Sequence, residues 1–207
     1  MFTISTRKRA AVAAAFCLAV FAAVAFAVKT RGGLPFDMPV LLRLLPFREA
    51  AAWLNAPALL LHYLGKTAVA VPLIALFVLW LYRRNRRREA LFLAVSPLLP
   101  TLAMLSVKSW VARPRPPEWM RLAAETNYSF PSGHSSFAAA LAVVLILLFY
   151  NTKCRFIAII GGIAFAVLMG VSRLWLGVHY PSDVLAGWAN GVFFALLAYA
   201  LILKEKR

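Results

Sequence analysis

The chain has 207 residues, of which 63% are hydrophobic and only 14% are charged, with a mean hydropathy of +0.78. A soluble domain is typically about 45–50% apolar and about 25% charged, so the composition excludes an ordinary soluble protein and indicates one multi-pass membrane domain, 1–207. The net charge of +16 would suggest nucleic acid in a soluble protein. Here many cations flank hydrophobic runs, where they meet anionic lipid headgroups. We therefore expect the lipid bilayer as a partner, and no nucleic acid.

Six apolar runs predict spanning helices, because a span needs about 20 mostly apolar residues. The second is short and is expected to extend back to about Tyr63, and the fourth to Ser132. Residues 29–66 are apolar but interrupted by prolines, which predicts short helices at the interface or packed over the mouth of the bundle. The predicted fold is an all-α bundle of six transmembrane helices. The runs are Ala10–Val28, Thr67–Tyr82, Glu89–Val107, Ser135–Tyr150, Phe156–Val171 and Val184–Leu203.

The basic residues predict the orientation of this bundle. Thirteen Lys and Arg lie in short segments on one side, at the N-terminus, in 83–88, in 153–155 and at the C-terminus, whereas ten are spread over longer loops on the other side. Basic residues accumulate on the cytoplasmic side of a membrane. We therefore expect an inner-membrane protein with both termini in the cytoplasm and with loops 29–66, 108–134 and 172–183 facing the periplasm or exterior.

The first of three unusual outward motifs begins where the third run ends. Lys108 and Arg115 are seven residues apart, so they would share a face if the helix continued that far. A lone cation at a helix end is often an anchor that reaches the interface, and for this segment alone that interpretation stays open. Arg113 would point away from the shared face, and we expect it to be an interface anchor or a loop hydrogen-bonder.

The second motif, Pro131-Ser132-Gly133-His134, stands immediately before the fourth run. A serine at this place is typical of a helix N-cap. The free N–H groups of a helix start also bind anions, and Gly133 would let the backbone come close to one. A cap alone does not require a histidine beside it, so the motif is compatible with both roles.

The third motif connects the fifth and sixth runs. Arg173 ends the fifth run, His179 precedes the sixth, and Asp183 lies in the first turn of the sixth. A carboxylate four residues after a histidine can hold the imidazole in one tautomer and raise its basicity. A lone aspartate in a first turn also simply suits the helix dipole, so this motif too has a structural interpretation.

Together the motifs supply the groups that cleavage of a phosphate ester needs. Cations stabilise the charge of the phosphoryl group, one neutral imidazole can attack phosphorus, and a second can protonate the leaving oxygen and then activate water. A metal triad of two histidines and one carboxylate is disfavoured because three nearby cations would repel a divalent ion. We therefore expect no metal and no cofactor. His62 lies outside the motifs and is interpreted as interfacial or structural.

The pattern Lys-x6-Arg-Pro, Pro-Ser-Gly-His and Ser-Arg-x5-His-x3-Asp resembles the type 2 phosphatidic acid phosphatase and vanadium haloperoxidase superfamily. All three motifs occur in order within 108–183, without departure at a motif position. The resemblance implies that His179 is a nucleophile that becomes phosphohistidine, that Asp183 orients it, and that His134 is the general acid and then the base. It also implies that the phosphate is held by Lys108, Arg115, Ser132, Gly133 and Arg173.

The same resemblance implies a lipid phosphatase rather than a haloperoxidase, because the haloperoxidases are soluble. The expected substrate is a lipid phosphate or diphosphate, undecaprenyl diphosphate first and otherwise phosphatidylglycerophosphate or phosphatidate. One alternative is a lipid phosphotransferase that uses the same phosphohistidine. The other is a non-catalytic membrane protein that binds anionic lipid, although lipid binding alone needs no histidine nucleophile.

Overall fold

The structure is a computed structural model that describes the backbone of residues 4–203 and the side chains of residues 8–203. The side chains of Arg7, Lys204, Lys206 and Arg207, which contribute to the predicted orientation, lie outside this part. Within it the chain is helical, without strands, and has single 3₁₀ turns at Ala52–Leu54 and Glu118–Met120. The helices are α1 (Ile4–Arg31), α2 (Asp37–Ala50), α3 (Asn55–Leu64), α4 (Thr67–Arg83), α5 (Arg87–Val111), α6 (Gly133–Phe149), α7 (Arg155–Trp175) and α8 (Pro181–Ile202).

The predicted all-α membrane architecture is confirmed, and each of the six apolar runs forms a helix, namely α1, α4, α5, α6, α7 and α8. The count of six membrane spans is not confirmed. Among the described residues, four helices (α1, α5, α7 and α8) are long and apolar enough to cross a membrane, or five spans if the bent pair Ala52–Leu64 and Thr67–Arg83 counts as one. The sixth candidate, α6, is apolar but has only 17 residues.

The second span does not extend back to Tyr63 as one straight helix, although the bent pair Ala52–Leu64 and Thr67–Arg83 is together apolar enough to form one broken span. Helix α3 ends at Leu64, Lys66 is extended with φ −69° and ψ 140°, and α4 starts at Thr67 with a bend of 62°. The link passes the ring of His134, where a Cβ at Gly65 would overlap the imidazole. The chain therefore turns at the point where it packs against His134.

Helix α8 is the central element, since it packs against α1, α5 and α6. Small residues allow α6 and α8 to approach closely, as is common between membrane helices. A Cβ at Gly187 or Gly191 would overlap the backbone of α6. At their starts the two helices are joined by the Ser132 backbone N–H, which donates to Asp183 O at 3.0 Å. This packing places the second and third motifs side by side.

The end of the bundle that carries the motifs is covered by α2 and α3, which pack against α7. Trp175 Nε1 donates to Asn55 Oδ1 at 2.9 Å, and Arg48 donates to the carbonyl of Met120 at 2.8 Å. Short helices were predicted for residues 29–66, and α2 and α3 confirm them; they pack over the bundle mouth against α7 and also expose apolar side chains such as Phe47 and Trp53.

Candidate active site

A cavity of about 600 Å³ lies between α4, α5 and α6, beneath the covered end of the bundle. Its inner wall is apolar and includes Ile74 and Val78 of α4 and Ala94 and Pro97 of α5. Its other end is polar. Five of the eight predicted site residues line this one cavity, namely Lys108, Arg115, Gly133, His134 and His179.

His179 is buried at the polar end, with its two ring nitrogens in different surroundings. Arg115 NH1 lies 3.2 Å from Nε2. Because a guanidinium only donates, Nε2 must carry a lone pair and the proton must be on Nδ1, which faces Asp183 Oδ2 at 3.4 Å. Burial, helped by Arg115 and Lys108 and opposed by the hydrogen bond to Asp183, lowers the pKa of His179 to about 4. At neutral pH the ring is therefore uncharged, and its lone pair is at the cavity.

Asp183 has two structural roles at once. Its Oδ2 accepts hydrogen bonds from the Tyr180 backbone N–H at 2.9 Å and from the hydroxyl of Ser129, and it also faces His179. Its Oδ1 accepts from Arg113 NH1 at 2.6 Å. The carboxylate therefore stabilises the start of α8, as the structural interpretation held, and it also lies within 3.4 Å of the imidazole Nδ1.

Arg113 meets one of the two sequence-based expectations, that of a loop hydrogen-bonder, and contradicts the other, that of an interface anchor. Helix α5 ends at Val111, and Ala112 has φ +53°, so the chain turns sharply in the left-handed region. The helix-face argument for Lys108 and Arg115 therefore fails, although Arg115 still reaches the cavity. The turn directs Arg113 inward, where it is 5% exposed and forms ion pairs with Asp37 and Asp183. It is not an interface anchor, but it is a loop residue that donates hydrogen bonds, as the other expectation held.

The two motif cations that line the cavity, Lys108 and Arg115, are held by backbone carbonyls and loop side chains. Arg115 donates to the carbonyl oxygens of Asn127 and Val178, each at 2.7 Å, and lies 3.4 Å from a carboxylate oxygen of Glu125. Burial lowers the pKa of Arg115, against the opposing effect of Glu125 and Asp183, but a guanidinium stays charged at neutral pH. Lys108 Nζ donates to Tyr128 O. Both positive charges are thus positioned before any anion arrives.

His134 is held by the bend between α3 and α4. Its Nε2 lies 3.0 Å from His62 O, and because a carbonyl only accepts, Nε2 carries the proton. The two imidazole rings are stacked with centroids 5.3 Å apart, and His62 Nδ1 accepts from Arg173 NH1 at 2.8 Å. His62 is buried, so the structural interpretation of this residue is supported and the interfacial one is wrong.

Two predicted phosphate ligands do not line the cavity. Ser132 is the N-cap of α6, and its hydroxyl oxygen accepts from Ser135 Oγ at 2.9 Å. Arg173 is buried behind His62, where its guanidinium also donates to Ser172 Oγ. The N–H groups of Gly133 and His134 precede the first intrahelical bond, Ser136 N–H to Ser132 O, so the start of α6 offers two amides for an anion.

Sequence reasoning missed five polar residues that surround these motifs, namely Asp37, Arg113, Glu125, Asn127 and Ser129. Acidic residues are rare here, seven in the whole chain. Two of them, Asp37 and Glu125, lie at the motif end of the bundle, where they pair with Arg113 and Arg115. Neither residue belongs to a motif, so the small number of acidic residues in the chain was the one feature of the sequence that could have indicated them.

The fold and the cavity define a polytopic membrane protein in which helix ends surround two neutral histidines with fixed cations, an arrangement suited to phosphoryl transfer. Residues 89–207, more than half of the chain, match the model of the PAP2 superfamily. The chain belongs to this family.

Individual relatives agree with this assignment. The chain is 32% identical over 161 residues to Phosphatidylglycerophosphatase B of Bacillus subtilis, covering 75% of this chain and 78% of that protein. It is 31% identical over 163 residues to Undecaprenyl-diphosphatase of Sulfolobus acidocaldarius, covering 76% and 75%. The crystal structure of the transmembrane PAP2 type phosphatidylglycerolphosphate phosphatase from Bacillus subtilis superposes with a TM-score of 0.84 at 28% identity, over 94% of this chain and 98% of that one.

Proposed function

We propose that the protein hydrolyses a membrane lipid phosphate or diphosphate through a phosphohistidine formed on His179. At the coarser level it is a lipid phosphatase of the PAP2 type, as its family and named relatives indicate. The observation that carries the covalent step is the position of His179, whose Nε2 lone pair lies at the polar end of the cavity under Arg115.

In the first step His179 Nε2 attacks phosphorus, the N–P bond forms and the bond from phosphorus to the lipid oxygen breaks. The leaving oxygen takes a proton from His134 in its imidazolium form, because a neutral imidazole would have to become an imidazolate; His134 must therefore gain a second proton, on Nδ1, as the anionic substrate binds. The positive charge that develops on His179 is stabilised by Asp183 across its Nδ1–H. In the second step His134 takes a proton from water, the water oxygen attacks phosphorus, and the N–P bond breaks. Inorganic phosphate leaves and His179 is neutral again.

The phosphate oxygens would be held by Lys108, Arg115 and the two free amides at the start of α6. Arg115 must move from His179 Nε2 to a phosphate oxygen as substrate binds, which frees the lone pair for attack. Ser132 and Arg173 were also predicted to hold phosphate. In the substrate-free structure their side chains bond to Ser135 and His62, so direct contact by either needs a rearrangement.

The apolar part of the cavity supports an amphiphilic substrate. Val71 of α4 and Leu98 of α5 both line the cavity and are 55% and 52% exposed on the outside of the bundle, so the cavity opens toward lipid. Its polar end lies at the helix ends, where a headgroup phosphate would be. We propose undecaprenyl diphosphate as substrate, with phosphatidylglycerophosphate and phosphatidate next. The names of the two relatives support the first two.

We further propose an inner-membrane location with the cavity facing the periplasm or exterior and both termini in the cytoplasm. Of the ten cations at the motif end, Lys108, Arg113, Arg115 and Arg173 are buried, which leaves six spread over long loops, while the short segment 83–88 alone carries five at the opposite end. Labelling of a cysteine placed in 83–88 by a membrane-impermeant reagent on intact cells would overturn this orientation.

The function is tested by phosphate release from purified protein with the three lipids, without an acceptor lipid and in the presence of EDTA. We expect release from at least one lipid, inhibition by vanadate, and loss of turnover in His179→Ala. Turnover only with an acceptor lipid would identify a phosphotransferase, and no turnover with any lipid would support non-catalytic lipid binding. Activity lost in EDTA and restored by magnesium or zinc would contradict the metal-free mechanism.

A further inference from the structure

Arg113 connects two carboxylates that come from the starts of two different helices. Its NH1 donates to Asp183 Oδ1 at 2.6 Å and to Ser182 Oγ at 2.8 Å, and its NH2 donates to Asp37 Oδ2 at 2.7 Å. Neither Arg113 nor Asp37 is among the described residues that line the cavity between α4 and α5. The side chain of Arg113 therefore reaches the proposed reaction through Asp183, and its backbone carbonyl accepts from the Ser129 N–H at 2.9 Å.

Asp37, the first residue of α2, completes this connection. It is buried, and it accepts hydrogen bonds from the backbone N–H groups of Leu34 and Ser182, at 2.8 and 2.9 Å. Without Arg113, two buried carboxylates would lie on either side of Ser182 with no cation between them, which is strongly unfavourable. The chain makes room for the ion pair with Gly33, because a Cβ there would overlap the guanidinium.

The ion pair with Arg113 gives the two carboxylate oxygens of Asp183 separate partners. Oδ1 is held by Arg113, while Oδ2 accepts from Ser129 and Tyr180 and faces His179 Nδ1. A carboxylate fixed at one oxygen by a buried guanidinium cannot turn about its Cβ–Cγ bond without breaking that ion pair. The direction in which Oδ2 points is therefore set by a residue on the far side of Asp183 from the cavity.

We infer that Arg113 and Asp37 are positioning residues, which fix the Asp183 carboxylate so that His179 keeps its proton on Nδ1 and its lone pair on Nε2. This inference rests on the proposed role of His179 as nucleophile. Loss of the pair should slow the chemical step and leave lipid binding unchanged, since neither residue lines the cavity. Misplacement by about 1 Å can cost about 100-fold in rate.

The test compares Arg113→Met, Arg113→Lys, Asp37→Asn and Gly33→Ala by steady-state kinetics, with kcat expressed per folded enzyme. Arg113→Met should lower kcat by about 100-fold with KM nearly unchanged. Arg113→Lys should recover only part, because an ammonium lacks the planar fork that spans two carboxylates. Asp37→Asn and Gly33→Ala should lower kcat in the same direction, although Gly33→Ala removes no polar group. Gly161→Ala is the control, since a Cβ there meets no described atom within 4 Å.

A purely structural role would change the amount of folded enzyme but not His179 itself. Nitrogen-15 NMR of histidine-labelled protein distinguishes the two, with His179→Gln to assign the signal. The measurement is made with inorganic phosphate bound, which on the proposed mechanism draws Arg115 away from Nε2 and leaves Asp183 to set the tautomer. We expect a single Nδ1-protonated tautomer in the wild type and a mixture in Arg113→Met. An unchanged tautomer, or a wild-type kcat per folded enzyme, would overturn the inference.

If Arg113→Met does not fold, Arg113→Lys and Gly33→Ala provide the same two measurements. If the wild type releases no phosphate, the proposed function fails, whereas the tautomer comparison still decides whether Arg113 positions Asp183.

Discussion

At the scale of single residues, the protonation of both histidines follows from partners that can only donate or only accept. Arg115 beside His179 Nε2 requires a lone pair there, and the carbonyl of His62 beside His134 Nε2 requires a proton there. The nitrogen proposed to attack is therefore free of a proton, while the other histidine carries one before the reaction begins. This is the starting state that the nucleophile needs, whereas His134 must gain a second proton on Nδ1 as the anionic substrate binds before it can act as general acid.

The first prediction concerns the titration of His179. Burial lowers its pKa to about 4, so the ring should stay neutral from pH 8 down to about 5 and gain a proton only below that range. The folded protein binds this proton less readily than the unfolded chain, so on this account stability should fall as the pH drops below about 6.5. Nitrogen-15 NMR of labelled protein measures the midpoint directly, and a value near 6.5 would show that His179 is not desolvated.

At the scale of elements, the bend between α3 and α4 forms a seat for His134. The bend supplies the carbonyl of His62, the stacked ring of His62 and the bare backbone of Gly65. Sequence periodicity could not predict this, because residues 59–82 are apolar on both sides of the bend. The turn is explained only by the ring that it accommodates, which comes from a helix some 70 residues later in the chain.

The second prediction tests this seat with Gly65→Ala. The new Cβ would overlap the His134 ring, which is confined by His62 and cannot move without breaking the bond to the carbonyl. Because displacement of a catalytic group by about 1 Å costs up to about 100-fold, we expect kcat to fall by at least tenfold while the protein remains folded. Gly161→Ala should behave as wild type, and equal activity of the two variants would argue against the seat.

Helix α5 was predicted from the sequence, whereas the turn that follows it at Ala112 was not. The apolar run predicts the helix to within a few residues, and the three motifs predict five residues that line one cavity. The left-handed residue Ala112, which sends Arg113 inward, leaves no mark in the pattern, since alanine is a common helix former. Non-local contacts such as Asp37 with Arg113, 76 positions apart, depend on tertiary packing and not on local spacing.

At the scale of the whole molecule, the packing brings a polar site and a lipid-facing cavity together. Helices α6 and α8 approach through small residues and align the two histidine motifs, whereas α4 and α5 form the apolar wall. A substrate with its chain between α4 and α5 would have its phosphate beside His179. The bundle thus selects for an amphiphile through its shape, and the loops supply the chemistry.

The third prediction tests the lipid path with Ala94→Trp. The indole would fill the space between α4 and α5, so kcat/KM should fall strongly for a long-chain lipid phosphate and change little for a small, water-soluble phosphate ester that needs only the polar end. Ala164→Trp, at an exposed position on α7, is the matched control. Equal losses for both classes of substrate would place the lipid chain elsewhere.

The central claim is that His179 carries the phosphoryl group, and trapping the intermediate tests it most directly. Purified protein mixed with lipid substrate labelled in its transferable phosphate is denatured within milliseconds and assayed for acid-labile, base-stable protein-bound phosphate. We predict phosphohistidine on the peptide that contains His179 in the wild type, none in His179→Ala, and accumulation in His134→Ala with a substrate whose leaving group needs no proton. Turnover without any labelled His179, or label on another residue, would contradict the account.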